Sequence, residues 1–266
     1  TGLAEAEYIV GAFILKNPEE KITFVTKNGL VKQSILKDFI VSRYSKAMLA
    51  FKLKDNDEVI AVNQSKSRTI LISEAGYYVN IDTEEIPVVG ARASGVKGMN
   101  LKEDFLVAGL SLEASEYLSI FTNNKTAKRV KVSELETHNR AKKGSTLIKK
   151  VKSFDYKIIK VLLTEGKDEL FLKCDNEITK IKNTDISILD LKSTGGTISK
   201  YNIDDVFTNT VLDSSLKNKK EEKEEVEILK DNDGAKDLEE QEEINNLEKP
   251  KEEQVSLTDF FDEFKI

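Results

Sequence analysis

The feature that most constrains this chain is a pattern of two short strands around a polar turn that recurs four times. In each copy, apolar and polar residues alternate on both sides of the turn, which predicts a β-hairpin. The aligned apolar residues of the four copies are 47, 49 and 52 residues apart. They are Phe24, Leu71, Ile120 and Leu172. A period of this length indicates a repeat architecture, in which neighbouring units bury a shared core.

The turn residues support the hairpin prediction. Lys27-Asn28-Gly29 and Glu74-Ala75-Gly76 each provide a glycine. Asn123-Asn124 and Asp175-Asn176 provide residues that tolerate a positive φ. All four turns can therefore close a tight hairpin.

Each hairpin is followed by a polar segment, a third apolar stretch and a fourth strand that begins at an acidic residue. The third stretches are residues 49–53, 96–101, 145–151 and 198–203. The fourth strands are residues 57–62, 104–109, 155–162 and 204–211. Four strands per unit at this period predict an all-β fold of four propeller-like blades.

The N-terminal residues 5–15 resemble another fourth strand whose hairpin is missing. Either this strand closes the array, or the chain is the C-terminal piece of a longer protein, and we favour the second interpretation. The predicted domains are a folded region over residues 1–212, a disordered acidic linker over 213–255 and a short helix over 256–266.

Acidic residues are concentrated in the C-terminal tail. The net charge of the chain is −6, but residues 217–266 contain nine Lys and eighteen Asp or Glu, so they carry −9 and leave +3 for the rest. Such a charged segment buries too little apolar surface to fold alone. Near its end, four apolar residues share one helical face, which predicts either a docking helix or a helix that folds back on the protein. They are Leu257, Phe260, Phe261 and Phe264.

Lysine and arginine recur in the polar segments and hairpin strands of the first three units. Cations at equivalent repeat positions form a track that can follow the phosphates of bent duplex DNA, and glycines such as Gly95, Gly98 and Gly144 would permit close backbone approach. The alternative is that these cations only make the surface soluble. The predicted DNA contacts are Lys32, Arg43, Lys46, Arg92, Lys97, Lys128, Arg129, Arg140, Lys142 and Lys143.

The sequence offers little for catalysis. His138 is its single histidine and Cys174 its single cysteine, and a cysteine on a strand is more often a small buried residue than a nucleophile. We expect no metal, no cofactor, no small-molecule substrate and no membrane insertion, and a reducing cytoplasm is the default compartment.

Three strings resemble the C-terminal domain of the A subunit of bacterial topoisomerase IV, whose relative, the gyrase A subunit, carries the same blades. They are residues 24–32, 43–59 and 88–104. The resemblance implies a β-pinwheel, a propeller-like array whose basic perimeter binds and bends DNA near the nucleoid. It also implies two protein partners, which are the A-subunit core and the ATPase B subunit. It places the cleavage chemistry upstream.

The gyrase domains carry a Gln-Arg-Arg-Gly-Gly-Lys-Gly box that supports chiral DNA wrapping. The nearest string here is residues 92–98, a degenerate form typical of topoisomerase IV. We therefore predict a non-catalytic DNA-binding and DNA-bending module that presents duplexes for decatenation and supercoil relaxation. Two alternatives remain, namely a propeller that binds an acidic protein partner and a gyrase-type wrapping domain.

Overall fold

The computed structural model describes residues 7–12, 17–40, 47–54, 56–113, 116–175 and 177–208. These residues form fifteen β-strands and four short 3-10 turns. The strands are β1 (Lys21–Thr26), β2 (Leu30–Ile35), β3 (Val59–Gln64), β4 (Arg68–Ser73), β5 (Tyr77–Asp82), β6 (Val96–Lys97), β7 (Leu106–Leu112), β8 (Tyr117–Thr122), β9 (Thr126–Lys131), β10 (Ser145–Thr146), β11 (Ile158–Thr164), β12 (Glu169–Cys174), β13 (Glu177–Lys182), β14 (Gly196–Thr197) and β15 (Asp205–Thr208). The 3-10 turns are Leu36–Phe39, Thr83–Glu85, Val132–Glu134 and Asn183–Asp185, one after each hairpin.

Each hairpin turn contains a residue with positive φ, which is the last turn residue in the first three hairpins. Gly29 has a φ of 82° and donates its N–H to the Thr26 carbonyl at 3.0 Å. This matches a turn closed by a left-handed residue, which suits the twist of the flanking strands. In the third hairpin Lys125, rather than the predicted Asn124, takes the positive φ. The fourth turn is one residue shorter, and Asp175 takes that role with a φ of 52°.

The strands form four antiparallel sheets, which we call blades 1 to 4. Blade 1 has the order β3-β1-β2-β6, blade 2 has β7-β4-β5-β10 and blade 3 has β11-β8-β9-β14. Blade 4 has the order β15-β12-β13. The predicted all-β fold of repeated four-stranded blades is thereby confirmed.

Blades 1 to 3 each take their outermost strand from the following sequence unit. β6 pairs with β2 through Val96 and Val31, β10 pairs with β5, and β14 pairs with β9. We call β6, β10 and β14 the exchanged strands, and each is two residues long. A blade is therefore not built from a single unit, as the sequence pattern suggested, and consecutive blades are linked by main-chain hydrogen bonds.

Some predicted strands do not form among the described residues. The third stretch of the first unit, residues 49–53, is irregular, and so are residues 7–12 of the predicted N-terminal strand. In the last unit the exchanged strand β14 lies just ahead of the predicted stretch 198–203. Within the described ranges, β13 at the edge of blade 4 has no fourth strand beside it.

A glycine precedes each exchanged strand because the backbone of the preceding blade lies against it. A Cβ on Gly95 would lie 2.7 Å from the Val31 carbonyl oxygen, a distance that side chains essentially never adopt. The close approach that these glycines permit is thus to a neighbouring blade, and the expectation that they serve DNA is corrected for this reason. The three pairs of glycine and facing carbonyl are Gly95 with Val31, Gly144 with Tyr78 and Gly195 with Ala127.

The apolar core lies between consecutive blades. Val25, Leu71 and Ile81 belong to one cluster that joins blades 1 and 2, and two further clusters join the later blades. Blade 4 differs, because Ile178 on β13 is 60% exposed, whereas Val31 at the same repeat position in blade 1 is fully buried. No described residue packs against this outward side of blade 4 as one blade packs on another.

Candidate nucleic-acid interface

Five of the ten predicted DNA contacts flank the exchanged strands and reach the surface. Lys97 lies on β6, and the others lie in the segments that lead to β6 and β10. Four of the five are exposed and one, Arg140, is partly exposed. We call them the outer cations: Arg92, Lys97, Arg140, Lys142 and Lys143.

The structure brings the outer cations of two units together. The Arg140 Nη1 donates to the Lys97 carbonyl at 2.8 Å. Beside this contact, Met99 and Lys142 form a parallel bridge, and the N–H of Asn100 donates to the Lys142 carbonyl at 2.8 Å. Because the two segments run side by side, Lys97 of the second unit and Arg140 and Lys142 of the third form one continuous patch.

Lys143 extends this patch along the edge of blade 2. Its ammonium lies 4.1 Å from the ring centroid of Tyr77, at the start of β5, which is a cation–π geometry. The backbone N–H of Arg140 is held by the Glu85 carboxylate at 2.9 Å. These contacts fix the positions of the outer cations and leave the Lys142 and Lys143 side chains exposed.

Three further lysines, Lys149, Lys150 and Lys192, continue the patch, and the first two were missed by the sequence prediction. Lys149 and Lys150 follow β10 and are exposed, and the N–H of Lys149 donates to the carbonyl of Lys192 at 2.9 Å. Lys150 and Lys143 line the same surface depression. The sequence placed Lys149 and Lys150 in an apolar third stretch, although two adjacent lysines at its centre already indicated a surface segment.

Three predicted DNA contacts are buried instead of lying on the surface. The exposed fraction is 0% for Lys32, 1% for Lys128 and 8% for Arg129. They lie on β2 and β9, the hairpin strands that the following unit covers. The assignment of these residues to phosphate contact is therefore wrong, and we call them the interface cations.

Lys32 links blade 1 to the following unit. Its ammonium donates to the carbonyl oxygens of Gly90 and Ala91 at 3.2 and 2.6 Å. It also lies 5.2 Å from the ring centroid of Phe24 and 5.1 Å from that of Phe51. The charge is thus compensated by carbonyl dipoles and aromatic faces, as a buried ammonium requires.

Lys128 occupies the same repeat position in blade 3 and makes equivalent contacts. Its ammonium donates to the carbonyls of Asp190 and Leu191 at 3.1 and 2.6 Å, and to that of Leu147 at 2.7 Å. Lys128 and Lys32 therefore hold the same segment of the next unit, the one that leads into the exchanged strand.

Arg129 holds the end of the next 3-10 turn. Its Nε donates to the Ile186 carbonyl at 2.7 Å, and its guanidinium lies 4.8 Å from the Tyr117 ring centroid. At the same position in blade 1, Gln33 donates to the Ile86 carbonyl at 2.7 Å. Because a neutral amide fills the role there, this position requires a hydrogen-bond donor and not a charge.

Burial changes the acidity of the two interface lysines. It lowers the pKa of Lys32 to about 8, against the opposing charge of Asp38. It lowers the pKa of Lys128 to about 7, against the opposing charge of Asp190. Both shifts come from removing the ammonium from water.

Six predicted contact residues lie outside the described residues. They are Arg43, Lys46, Leu257, Phe260, Phe261 and Phe264. The predicted linker 213–255 and helix 256–266 also fall there, so these assignments stay predictions.

His138 and Cys174 both have structural surroundings. The ring of His138 packs edge-on against Tyr78, its Nδ1 accepts from the Asn80 N–H at 3.3 Å, and its Nε2 lies 2.9 Å from the Ser145 hydroxyl. Cys174 is buried, as expected.

Among the described residues, no group of three or more His, Cys, Asp or Glu side chains could hold a metal ion. The same part of the chain contains no helix long and apolar enough to cross a membrane.

Sequence comparison places these features among known proteins. A family model described as the DNA gyrase C-terminal domain, beta-propeller, matches residues 20–66, 69–111 and 116–165. The A subunit of DNA topoisomerase 4 from Bacillus subtilis (strain 168) is 39% identical over 158 residues, which cover 58% of this chain and 20% of that protein. The corresponding protein of Staphylococcus aureus (strain MSSA476) is 30% identical over 169 residues, which cover 62% and 21%. The chain spans about a fifth of the length of these relatives.

Solved structures give the same result for the fold. A crystal structure of the C-terminal domain of DNA topoisomerase IV superposes with a TM-score of 0.75 at 28% identity, covering 84% of this chain and 72% of that one. A structure of the DNA gyrase A C-terminal domain has a TM-score of 0.63 at 20% identity, with 72% and 66% covered. The second likeness is one of fold alone.

Proposed function

Because the chain belongs to the family of DNA gyrase C-terminal β-propeller domains, we propose that it is a duplex-DNA binding and bending module of the topoisomerase IV enzyme, within its A subunit. Both the β-pinwheel fold and the resemblance to the A subunit of topoisomerase IV are confirmed. The chain is thus a type IIA topoisomerase domain. Its direct action on DNA is the step that we add.

The observation that carries this proposal is the continuous patch of outer cations. It combines Lys97 from one unit with Arg140, Lys142 and Lys143 from the next, through main-chain contacts that hold the segments together. Cations held on a fixed backbone can each neutralise a phosphate and release a counterion. Such contacts position a duplex without reading its sequence.

The repeat also supports bending. The lysine patch continues from the outer cations to Lys149 and Lys192, so it passes from blade to blade along the exchanged strands. A duplex that follows cations on several consecutive blades must deviate from a straight path, and the phosphate contacts offset the deformation energy.

We propose that this part of the protein has no catalytic role of its own. His138 and Cys174 are both engaged in packing, and among the described residues neither lies beside an acidic cluster suited to metal-assisted cleavage. The cleavage chemistry would then belong to the remaining four fifths of a protein like the relatives. In that setting the module presents duplexes for decatenation and supercoil relaxation, together with the A-subunit core and the ATPase B subunit.

Binding of a short duplex labelled at both ends with a fluorescence donor and acceptor tests the proposal. We expect affinity to fall steeply with salt and energy transfer to rise on binding, because bending shortens the end-to-end distance. Absence of binding at low salt would contradict DNA recognition, and binding without a rise in transfer would contradict bending.

A competition arm separates this function from binding to an acidic protein. Polyglutamate at the same charge concentration should displace the duplex poorly, because its charges are not spaced on a stiff helical backbone. If polyglutamate competes as well as unlabelled duplex, the patch serves an acidic partner instead.

A further inference from the structure

The connection between β10 and β11 is longer than its counterpart in the second unit. It covers residues 147–157, three residues more than the corresponding connection 98–105 between β6 and β7. Val151 and Phe154 form an antiparallel bridge, so Lys152 and Ser153 stand at the tip of a tight turn. We call residues 149–154 the basic turn.

The basic turn exposes two large apolar side chains. Val151 and Phe154 are each 38% exposed, although both belong to residue types that prefer burial. Phe154 is supported from behind, because its ring packs edge-on against Tyr156 with centroids 5.0 Å apart. The Tyr156 hydroxyl in turn accepts from the Asn124 side-chain amide at 2.9 Å. The Phe154 ring is therefore exposed to solvent on one side and held in position by Tyr156 on the other.

Three lysines lie in the same turn as this apolar pair, and Asp155 directly follows it. Lys149, Lys150 and Lys152 belong to the same turn and are exposed. The Lys149 backbone N–H donates a hydrogen bond to the Lys192 carbonyl. Lys150 lines the same surface depression as the outer cation Lys143. The basic turn is thus continuous with the proposed phosphate-binding patch.

We propose that the basic turn is an apolar wedge that Phe154 inserts at a base step of the bound duplex, while its lysines contact the flanking phosphates. The inference rests on the proposed function and adds the place where the bend is made. Architectural proteins that bend DNA use an apolar side chain beside cations in this way, partly unstacking one base step to kink the duplex.

The arrangement fits DNA better than an apolar groove on another protein. A protein partner for Phe154 and Val151 would have to place carboxylates against three lysines within six residues. A duplex offers phosphates on both sides of a groove and an apolar stack between them, which matches an exposed ring in a turn that also carries three exposed lysines. A supported phenylalanine also loses little side-chain entropy when it is fixed.

Replacement of Phe154 by Ala, measured with the end-labelled duplex, tests the wedge. We expect F154A to reduce the bend by about 20° or more, and to leave the salt dependence of affinity unchanged, because no phosphate contact is lost. F154L should keep most of the bend, because it retains an apolar side chain. A K149Q/K150Q variant should instead lower the salt dependence.

Phe207 gives a matched control, because it is a phenylalanine with 40% exposure on the strand β15 of blade 4. F207A should bend DNA like the unmodified chain, and melting curves of all variants would show whether each is folded. An unchanged bend with folded F154A, or an equal loss in F207A, would overturn the wedge alone. Absence of DNA binding by the unmodified chain would overturn the proposed function together with it.

Discussion

Lys128 and Lys142 belong to the same sequence unit and carry the same charge, but they lie in opposite environments. Lys128 is buried on β9 and donates to three backbone carbonyls, whereas Lys142 is exposed beside an exchanged strand. The interface cations hold blades together, and the outer cations are available to a polyanion. A cation can therefore recur in a repeat either because it holds neighbouring blades together or because it binds a polyanion. Only the burial of the side chain distinguishes the two cases.

The interfaces between blades show that the buried donor, and not the lysine, is what each one requires. Val79 occupies the repeat position of Lys32 and Lys128 in blade 2, where it packs in the apolar cluster that joins blades 1 and 2. The polar link to the third unit comes from the next residue, Asn80, whose Nδ2 donates to the Leu135 carbonyl at 3.4 Å. Gln33 and Arg129 make the equivalent bond in blades 1 and 3.

Gly144→Ala should have the largest effect, because it breaks the connection on which the outer cations depend. The residue has a φ of 81°, and a Cβ would collide with the Tyr78 carbonyl oxygen. We expect the variant to lose about 3 to 4 kcal/mol of unfolding free energy from the left-handed conformation and the displaced β10. Denaturant unfolding measures it.

Gly90→Ala is the control, because a Cβ there meets no atom within 4 Å. It should change stability by less than about 0.5 kcal/mol. Equal losses in the two variants would contradict the view that the exchanged strand needs the glycine for close approach.

Lys128→Met should be the next most damaging change. It keeps the apolar stem but leaves three buried carbonyls without a donor, while it removes the cost of burying a charge. The net expectation is a loss of about 2 to 3 kcal/mol. The readout is again denaturant unfolding, in parallel with DNA affinity.

Lys131→Met on the same strand is the matched control, because Lys131 is exposed. It should change stability by less than about 0.5 kcal/mol. If K128M is as stable as K131M, then the ammonium does not hold the interface, and the distinction between the two sets of cations is lost.

The pH dependence of stability should also distinguish the two sets of cations. The pKa of Lys128 is about 7 in the folded chain and near 10.5 when unfolded, so the unfolded state binds more protons between these values. Stability of the unmodified chain should therefore rise with pH across this window, by about 1 kcal/mol per pH unit relative to K128M. A constant difference between about pH 7 and pH 10 would show that Lys128 stays charged when folded.

The sequence could predict the hairpins, but it could not predict which lysines on them are buried and which are exposed. Alternation and turn chemistry around Gly29 are local, so they specify a hairpin without tertiary information. The burial of a hairpin strand on both of its faces is not a local property, because the next blade covers one of them. A signal was nevertheless present, since Lys32, Gln33 and Ser34 are consecutive polar residues on one strand and cannot all face solvent.

Strand exchange could not be predicted for a related reason. An exchanged strand of two residues, such as Ser145–Thr146, is too short to show a period, and its partner lies in the preceding unit. The recurring glycines at 95, 144 and 195 marked the place, but a missing side chain does not reveal whether protein or DNA approaches it. Four of the five outer cations were predictable because they lie in polar segments with no strand pattern, whereas Lys97 lies on β6.

The most direct test of the outer cations compares the salt dependence of duplex binding in two variants. R92A/K97A removes two exposed outer cations, and K131A removes an exposed lysine outside that set. We predict that R92A/K97A stays folded and lowers the slope of log affinity against log salt by about 1.8, close to 0.9 for each lost phosphate contact, while K131A leaves it unchanged. An unchanged slope in R92A/K97A, or an equal fall in K131A, would contradict DNA binding by the outer cations.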